Sequence, residues 1–131
     1  MIPKWDALEA MRLIENERIN SFGGVPAIAW QVIEHPDFAK FDLSSVDSVS
    51  YGGAPAASEL PRRIKEAFPK VMPGTGYGMT ETSAIATYCS AEEYLSHPES
   101  CGVAVPVCDI KVCDRQGRAL PDGEIGEIWV K

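Results

Sequence analysis

Nine consecutive residues, Gly74-Thr75-Gly76-Tyr77-Gly78-Met79-Thr80-Glu81-Thr82, hold the parts of a nucleotide site. Glycine lets the main chain approach a ligand and take φ > 0, and a tyrosine ring offers a flat face for a base. A threonine hydroxyl can donate to a phosphate oxygen, and a carboxylate can hold a cation. Adjacency carries the reading, because Tyr77 alone would suit a core aromatic and Glu81 alone a solvated carboxylate at a helix start. A second small-residue segment, Ser48-Val49-Ser50-Tyr51-Gly52-Gly53-Ala54-Pro55, reads as a strand running into a loop that opens a helix. By itself it also suits a tight strand-to-helix turn. At the carboxyl ends of parallel strands, such loops gather backbone N–H groups and bind ligands.

The elements that must position these segments follow from period and caps. Asp6 predicts a helix N-cap with Glu9 as capping-box partner, and Ala7, Met11 and Ile14 recur on one face. A short strand follows Arg18 into a loop at Gly23-Gly24; Pro26 then opens a helix to about His35, with Ile28, Ala29, Val32 and Ile33 buried. Pro36 ends it by pushing His35 out of the α region, which makes His35, like His97 before Pro98, a boundary residue. A helical turn is expected at Asp42–Ser45, a strand at Val46–Tyr51, and a helix capped by Ser58 with Leu60, Ile64 and Phe68 spaced four apart. Val71–Thr75 is read as a strand entering the Gly74–Thr82 segment as a loop, and Ala91–His97 as a short acidic helix. The alternation predicts an α/β fold, part of a doubly wound parallel sheet with helices on both faces and right-handed crossovers. From Gly102 the chain becomes strand and turn, with turns at Asp114–Gly117 and Asp122-Gly123, the start of an antiparallel β subdomain. The expected division is residues 1–100 and 101–131.

Composition narrows the partners. The 131 residues can bury one core and carry a formal net charge of −7, which argues against a nucleic-acid backbone as ligand. No Lys or Arg occurs between Lys70 and Lys111, so a polyphosphate at Tyr77–Glu81 must be held by a cation, hydroxyls and backbone amides, or by a basic group from elsewhere. Cys89, Cys101, Cys108 and Cys113, spaced 12, 7 and 5 apart, fit no zinc or redox pattern and read as reduced thiols. No apolar run suggests a membrane span, and Met1–Lys4 lacks a signal-peptide pattern, so a cytoplasmic protein is expected.

Three segments in order, Tyr51-Gly52-Gly53-Ala54-Pro55, Gly76-Tyr77-Gly78-Met79-Thr80-Glu81 and Gly123-Glu124-Ile125-Gly126-Glu127-Ile128-Trp129-Val130, resemble consecutive motifs of the AMP-forming acyl-CoA synthetases, members of the adenylate-forming superfamily. The resemblance covers nearly the whole chain. It implies activation of a fatty or other carboxylic acid with ATP and Mg²⁺ to an acyl-adenylate, then transfer to coenzyme A, as in fatty acid metabolism. It places Gly53, Ala54 and Pro55 against the adenine and Tyr77 packed on it, with Gly76, Gly78 and Met79 in the same nucleotide-binding motif. Thr80 becomes the α-phosphate contact and Glu81 the Mg²⁺-associated carboxylate; these two would be catalytic. Val25, Pro26, Ala29, Gly76 and Ile85 would line part of the acyl pocket. By the same resemblance, residues 1–100 hold nucleotide- and acyl-binding elements, and Gly123–Val130 is a turn and strand. No Ser/Thr/Gly-rich phosphate loop ending in Lys is present, and the family places its ribose-binding Asp, hinge and catalytic Lys beyond Lys131. An internal, inactive fragment of a large N-terminal domain is therefore expected, associating as a homodimer or higher oligomer. Two alternatives stay open: a stand-alone non-catalytic binding or oligomerisation module, and a piece of an adenylation domain that loads a carrier protein.

Overall fold

The computed structural model describes residues 4–131; Met1–Pro3, on which the expectation of no leader segment partly rests, lie outside the described residues. Helix α1 (Ala7–Glu17) starts where Asp6 Oδ1 accepts the Glu9 N–H at 2.9 Å. It ends as Arg18 takes a left-handed conformation at φ 50°, and it buries Ala10, Met11 and Ile14. Strand β1 (Ser21–Gly24) absorbs both glycines expected in a loop, and α2 (Pro26–Ile33) begins at Pro26. The helical turn expected at Asp42–Ser45 lies earlier, at Phe38–Lys40, because the Asp42 carboxylate accepts the Ser44 N–H at 3.0 Å and holds an Asx turn instead.

Strand β2 (Ser48–Gly52) leads through Gly53–Glu59 into α3 (Leu60–Ala67). Glu59 occupies the N-cap in a helical conformation without a side-chain cap bond, so Ser58 does not cap this helix. The main correction concerns the glycine-rich signature: it is strand β3 (Met72–Met79), followed by a single 3₁₀ turn at Thr80–Thr82. Strand β4 (Ala84–Ser90), helix α4 (Ala91–Ser96) and β5 (Val103–Ala104) complete the first sheet; β6 (Ile110–Cys113) and β7 (Glu127–Val130) form a separate antiparallel pair.

The five-stranded sheet has the order β1-β2-β3-β4-β5, with β1, β2 and β3 parallel and β4 and β5 antiparallel to their neighbours. The fold class is thus α/β, a mostly parallel sheet flanked by helices plus a small antiparallel sheet. Beyond Ser100, β5 still belongs to the first sheet, and the second ladder begins at Ile110. Because β1-α2-β2-α3-β3 joins adjacent strands in chain order by crossovers of one hand, both helices lie on the same face. One core cluster forms there, from Met11 and Ile14 of α1, Ala29 and Val32 of α2, Val49 and Tyr51 of β2, Leu60 and Ile64 of α3, and Tyr94 of α4. Burying each large apolar side chain contributes about 1.5–3 kcal/mol. The second helix layer of a doubly wound sheet is not among the described residues, and the opposite face presents Ser50, Gly74 and Gly76 with the partly exposed Met72, Ile85 and Tyr88 beside them. No helix of the described residues is long and apolar enough to cross a membrane.

Candidate nucleotide and acyl site

The register fixes what each face of the sheet presents. Ser50 pairs with Gly74, Tyr51 with Thr75 and Gly52 with Gly76; across β3, Thr75 pairs with Cys89, Gly76 with Tyr88 and Tyr77 with Thr87. Side chains alternate along a strand, so Thr75 and Tyr77 share the helix side with Val49 and Tyr51, whereas Gly74, Gly76 and Gly78 share the opposite side with Ser50, Tyr88 and Ile85. These glycines answer a demand for space. A Cβ on Gly78 would lie 1.8 Å from the Ala84 carbonyl oxygen, and one on Gly76 2.7 Å from Ile85 Cδ1. Gly53 differs: at φ +75° it needs the conformation only glycine adopts cheaply, and it turns the chain out of β2 into the Ala54-Pro55 segment.

Two clefts flank the carboxyl end of β3. One, of about 410 Å³, lies on the helix side between Gly53–Ala56, Thr75–Gly78, Tyr94 and Pro98–Cys101. The other, of about 360 Å³, lies on the glycine face and includes Gly23, Ser50, Gly52, Ile85 and Tyr88. Gly76, Tyr77 and Gly78 line both. A ligand passing across this short piece of main chain could therefore occupy both clefts, with a flat group beside Tyr77 and a second group over glycine.

Thr80 and Glu81 are exposed on the turn above this junction. The turn is locked by Thr82, whose Oγ1 accepts the Met79 N–H at 3.0 Å and lies 3.0 and 3.1 Å from the Met79 and Ala84 carbonyl oxygens. Ser83 at φ 56° and Ala84 at φ 101° reverse the chain at a conformational cost that glycine would avoid. Glu81 forms no ion pair among the described residues, and no group of three or more His, Cys, Asp or Glu side chains there could enclose a metal. A divalent cation at Glu81 would share its coordination with ligand phosphates and water, which suits Mg²⁺ better than an all-protein cage would.

The helix-side cleft is braced from below. The Tyr51 and Tyr94 hydroxyls lie 2.8 Å apart, joining β2 to α4. Burial, then the bond to Tyr94, pushes the Tyr51 phenol above its ordinary range. The Thr87 hydroxyl donates to the Cys101 carbonyl at 2.6 Å and holds the Pro98–Cys101 wall to β4. All four cysteines are free; Cys89 is buried with its thiol pushed up, mainly by burial, and Cys101 is exposed beside the cleft.

Of the residues singled out from sequence, Gly53, Ala54, Pro55, Gly76, Tyr77 and Gly78 come together around the helix-side cleft, and Gly76 and Ile85 around the glycine-face cleft. Met79 ends β3 and is exposed. Val25, 44% exposed, stands at the lip near Gly53. Pro26 is buried at the start of α2. Ala29, 2% exposed, faces the helix-side core and reaches neither cleft, because its place on α2 is one turn along from Pro26 on the same buried stripe. Tyr88, Tyr94, Ser50 and Gly23 were not singled out; the strand-like Ile85, Thr87 and Tyr88 were the available signal for β4 and its Tyr88.

Fold and clefts together define an α/β protein with two clefts that share the end of one glycine-rich strand. The chain belongs to the AMP-binding enzyme family, whose family model matches residues 1–131. It is similar to 4-coumarate–CoA ligase 1 of Glycine max, 33% identical over 135 residues that cover 100% of this chain and 46% of that protein. Among solved structures, the inhibitor-bound N-terminal domain of FACL13 from Mycobacterium tuberculosis superimposes with a TM-score of 0.85 at 32% identity, covering 99% of this chain and 32% of that one. The anthranilate CoA ligase AuaEII in complex with anthranoyl-AMP gives 0.88 at 25% identity, covering 100% and 25%. This chain spans 25% to 46% of the length of the first two curated relatives it matches.

Proposed function

We propose that this chain carries part of the active site of an acid–thiol ligase that converts a carboxylic acid, fatty or aryl, to its acyl-adenylate with ATP and then to the coenzyme A thioester. The observation that carries the reading is the sharing of Gly76, Tyr77 and Gly78 by two clefts, as a nucleotide joined to an acyl group requires. In this reading Tyr77 and the Gly53–Pro55 segment flank the adenine, and the acyl group crosses Gly76 toward Ile85. The carboxylate oxygen of the substrate attacks the α-phosphorus of ATP and pyrophosphate leaves; the coenzyme A sulfur then attacks the acyl carbonyl and releases AMP. Because the nucleophile belongs to the substrate, the protein acts by positioning and charge neutralisation. Thr80 would donate to an α-phosphate oxygen, and Glu81 would hold Mg²⁺ against the phosphates. Mg²⁺, when bound, offsets phosphate charge where this chain has no Lys or Arg between Lys70 and Lys111.

The remaining cationic groups would come from residues outside this chain, which on its own would be inactive. Residues 1–100 would supply the nucleotide and acyl elements and 101–131 the start of a β subdomain. By itself the chain would pair with a copy through the open edge of β1 and its exposed apolar side chains, which light scattering after size exclusion reads. Four free thiols suit a reducing, cytoplasmic compartment, which fractionation reads. The test of the function is a pyrophosphate-release screen of the full-length protein over carboxylic acids. Release with at least one acid is expected, and Glu81→Gln should slow it about 10²-fold while raising the KM for the acid much less. No release with any acid would overturn the ligase reading in favour of a non-catalytic module. Release unaltered in Glu81→Gln at limiting Mg²⁺ would return Glu81 to a helix-start carboxylate.

A further inference from the structure

A separate cavity, of about 380 Å³, opens at the other end of the sheet, between the Phe38–Lys40 turn, the segment from Phe41 to Val46 and the C-terminal end of α3. Its floor belongs to the main core, for Leu43, Val46 and Phe68 are all buried. Its walls are the half-buried rings of Phe38 and Phe41. Phe68 meets Phe38 edge-on with ring centroids 5.3 Å apart, and Phe22 of β1 packs edge-on against Phe68 at 6.0 Å, so the aromatic lining is braced by the sheet.

Neither cleft reaches this place. Val46 precedes β2 and Lys70 precedes β3, whereas the two clefts gather at the carboxyl ends of those strands. From Lys70 to Gly76 the chain runs about 20 Å at about 3.3 Å per residue. A ligand filling the cavity therefore stays clear of Gly76–Gly78.

Charge narrows what the cavity takes. Its ionisable lining residues are Asp42 and Lys70. The Asp42 carboxylate is engaged, accepting from the Arg18 Nη1–H at 2.7 Å and from the Ser44 N–H at 3.0 Å. Lys70 is exposed and forms no ion pair among the described residues, whereas Lys40 nearby pairs with Asp37 at 2.5 Å and Lys65 donates to the Val71 carbonyl at 3.0 Å. Three phenyl rings thus stand beside one uncommitted cation at the rim. Such rings favour a flat ring placed offset or edge-on against them, and a rigid ring loses little rotamer freedom on binding. The ammonium favours an anion on the outer edge of that ring over a neutral isostere.

We infer that this cavity is a second ligand site, separate from both clefts, for a flat aromatic anion whose ring lies among Phe38, Phe41 and Phe68 and whose carboxylate meets Lys70. The inference does not depend on the ligase reading.

The experiment titrates the full-length protein with 2-naphthoate and with its neutral isostere 2-naphthamide by saturation-transfer NMR, in the presence of a non-hydrolysable acyl-adenylate analogue that fills the clefts. Both should bind at about millimolar affinity, as small ligands in a partly open cavity do, with the naphthoate about fivefold tighter. Lys70→Met keeps the apolar stem and removes the charge; it should abolish that difference without weakening the amide. Phe41→Ala removes a wall and should weaken both ligands about tenfold. Because Lys70 is exposed, Lys70→Met stays folded and decides the matter even where Phe41→Ala melts early. Binding that vanishes when the analogue is present, equal affinities for the two ligands in the wild type, or a naphthoate advantage unaltered in Lys70→Met would overturn the inference, as would no binding of either ligand. Pyrophosphate release by the same preparation bears on the ligase reading alone, so the two fail separately.

Discussion

Alanine at Gly76 and at Gly78 should have opposite consequences, although the two glycines are neighbours on one face of one strand. Neither has a positive φ, so space alone separates them. At Gly76 the new methyl would meet Ile85 Cδ1 at 2.7 Å and Cγ1 at 3.3 Å, the end of a side chain that is 43% exposed and free to turn away. At Gly78 it would meet the Ala84 carbonyl oxygen at 1.8 Å and Ile85 Cα at 2.8 Å, main chain that cannot move without breaking the β3–β4 ladder. Replacing glycine by alanine at a compatible conformation stabilises by about 0.4–1 kcal/mol through the unfolded chain. Overpacking costs about 1–3 kcal/mol. For Gly76→Ala the two nearly offset, leaving stability within about 1 kcal/mol of the wild type; for Gly78→Ala the clash dominates and about 3 kcal/mol or more is lost. Urea unfolding at one fixed protein concentration reads both. In the full-length protein the folded Gly76→Ala variant should still lose activity, about 10²-fold in acid-dependent pyrophosphate release, because its methyl stands where the clefts meet. Equal destabilisation by both substitutions, or full activity with an unaltered KM for the acid in Gly76→Ala, would refute the reasoning.

Two further outcomes test the frame of the site. Tyr94→Phe leaves the Tyr51 hydroxyl buried without its partner and should destabilise by about 1–3 kcal/mol; the double variant with Tyr51→Phe should recover part of the loss, and an unchanged urea midpoint in the single variant would show that the pair contributes nothing net. The Ser44 hydroxyl and N–H, and then Arg18, lower the Asp42 carboxyl from 3.8 to about 2. A depressed folded pKa stabilises above the unfolded value and is lost as pH falls through the folded one, so Asp42→Asn should lower the melting temperature at pH 7 by an amount that vanishes between about pH 4 and about pH 2; a difference that persists at pH 2 would assign the effect to shape instead of charge.

Much of this architecture is legible in single residues. Asp6 and Pro26 mark their helices because capping and a fixed φ act locally, and the parallel β1-β2-β3 order follows from alternation with crossovers of one hand. Gly76–Met79 reads as a loop because glycine is the commonest breaker of regular structure, yet it continues strand β3. What glycine supplies there is room for the Tyr88 and Ile85 side chains and the Ala84 carbonyl, which arrive from a strand that pairing, not local propensity, brings alongside. For the same reason Tyr88 was hidden and Ala29 misplaced: which face a residue serves depends on register and on the rest of the core. Gly53–Pro55 and Gly76–Gly78, which line the helix-side cleft, are legible because they cluster in sequence at the carboxyl ends of β2 and β3, whereas the lining of the glycine-face cleft is scattered over four strands.

The central claim is that a nucleotide and an acyl group meet across Gly76–Gly78, and it is tested most directly by the structure of the full-length protein with a non-hydrolysable acyl-adenylate analogue. The adenine is predicted between Tyr77 and the Gly53–Pro55 segment, with the acyl group across Gly76 on the side of Ile85 and Tyr88. An analogue lying wholly on one side of β3, or bound away from both clefts, would contradict the account.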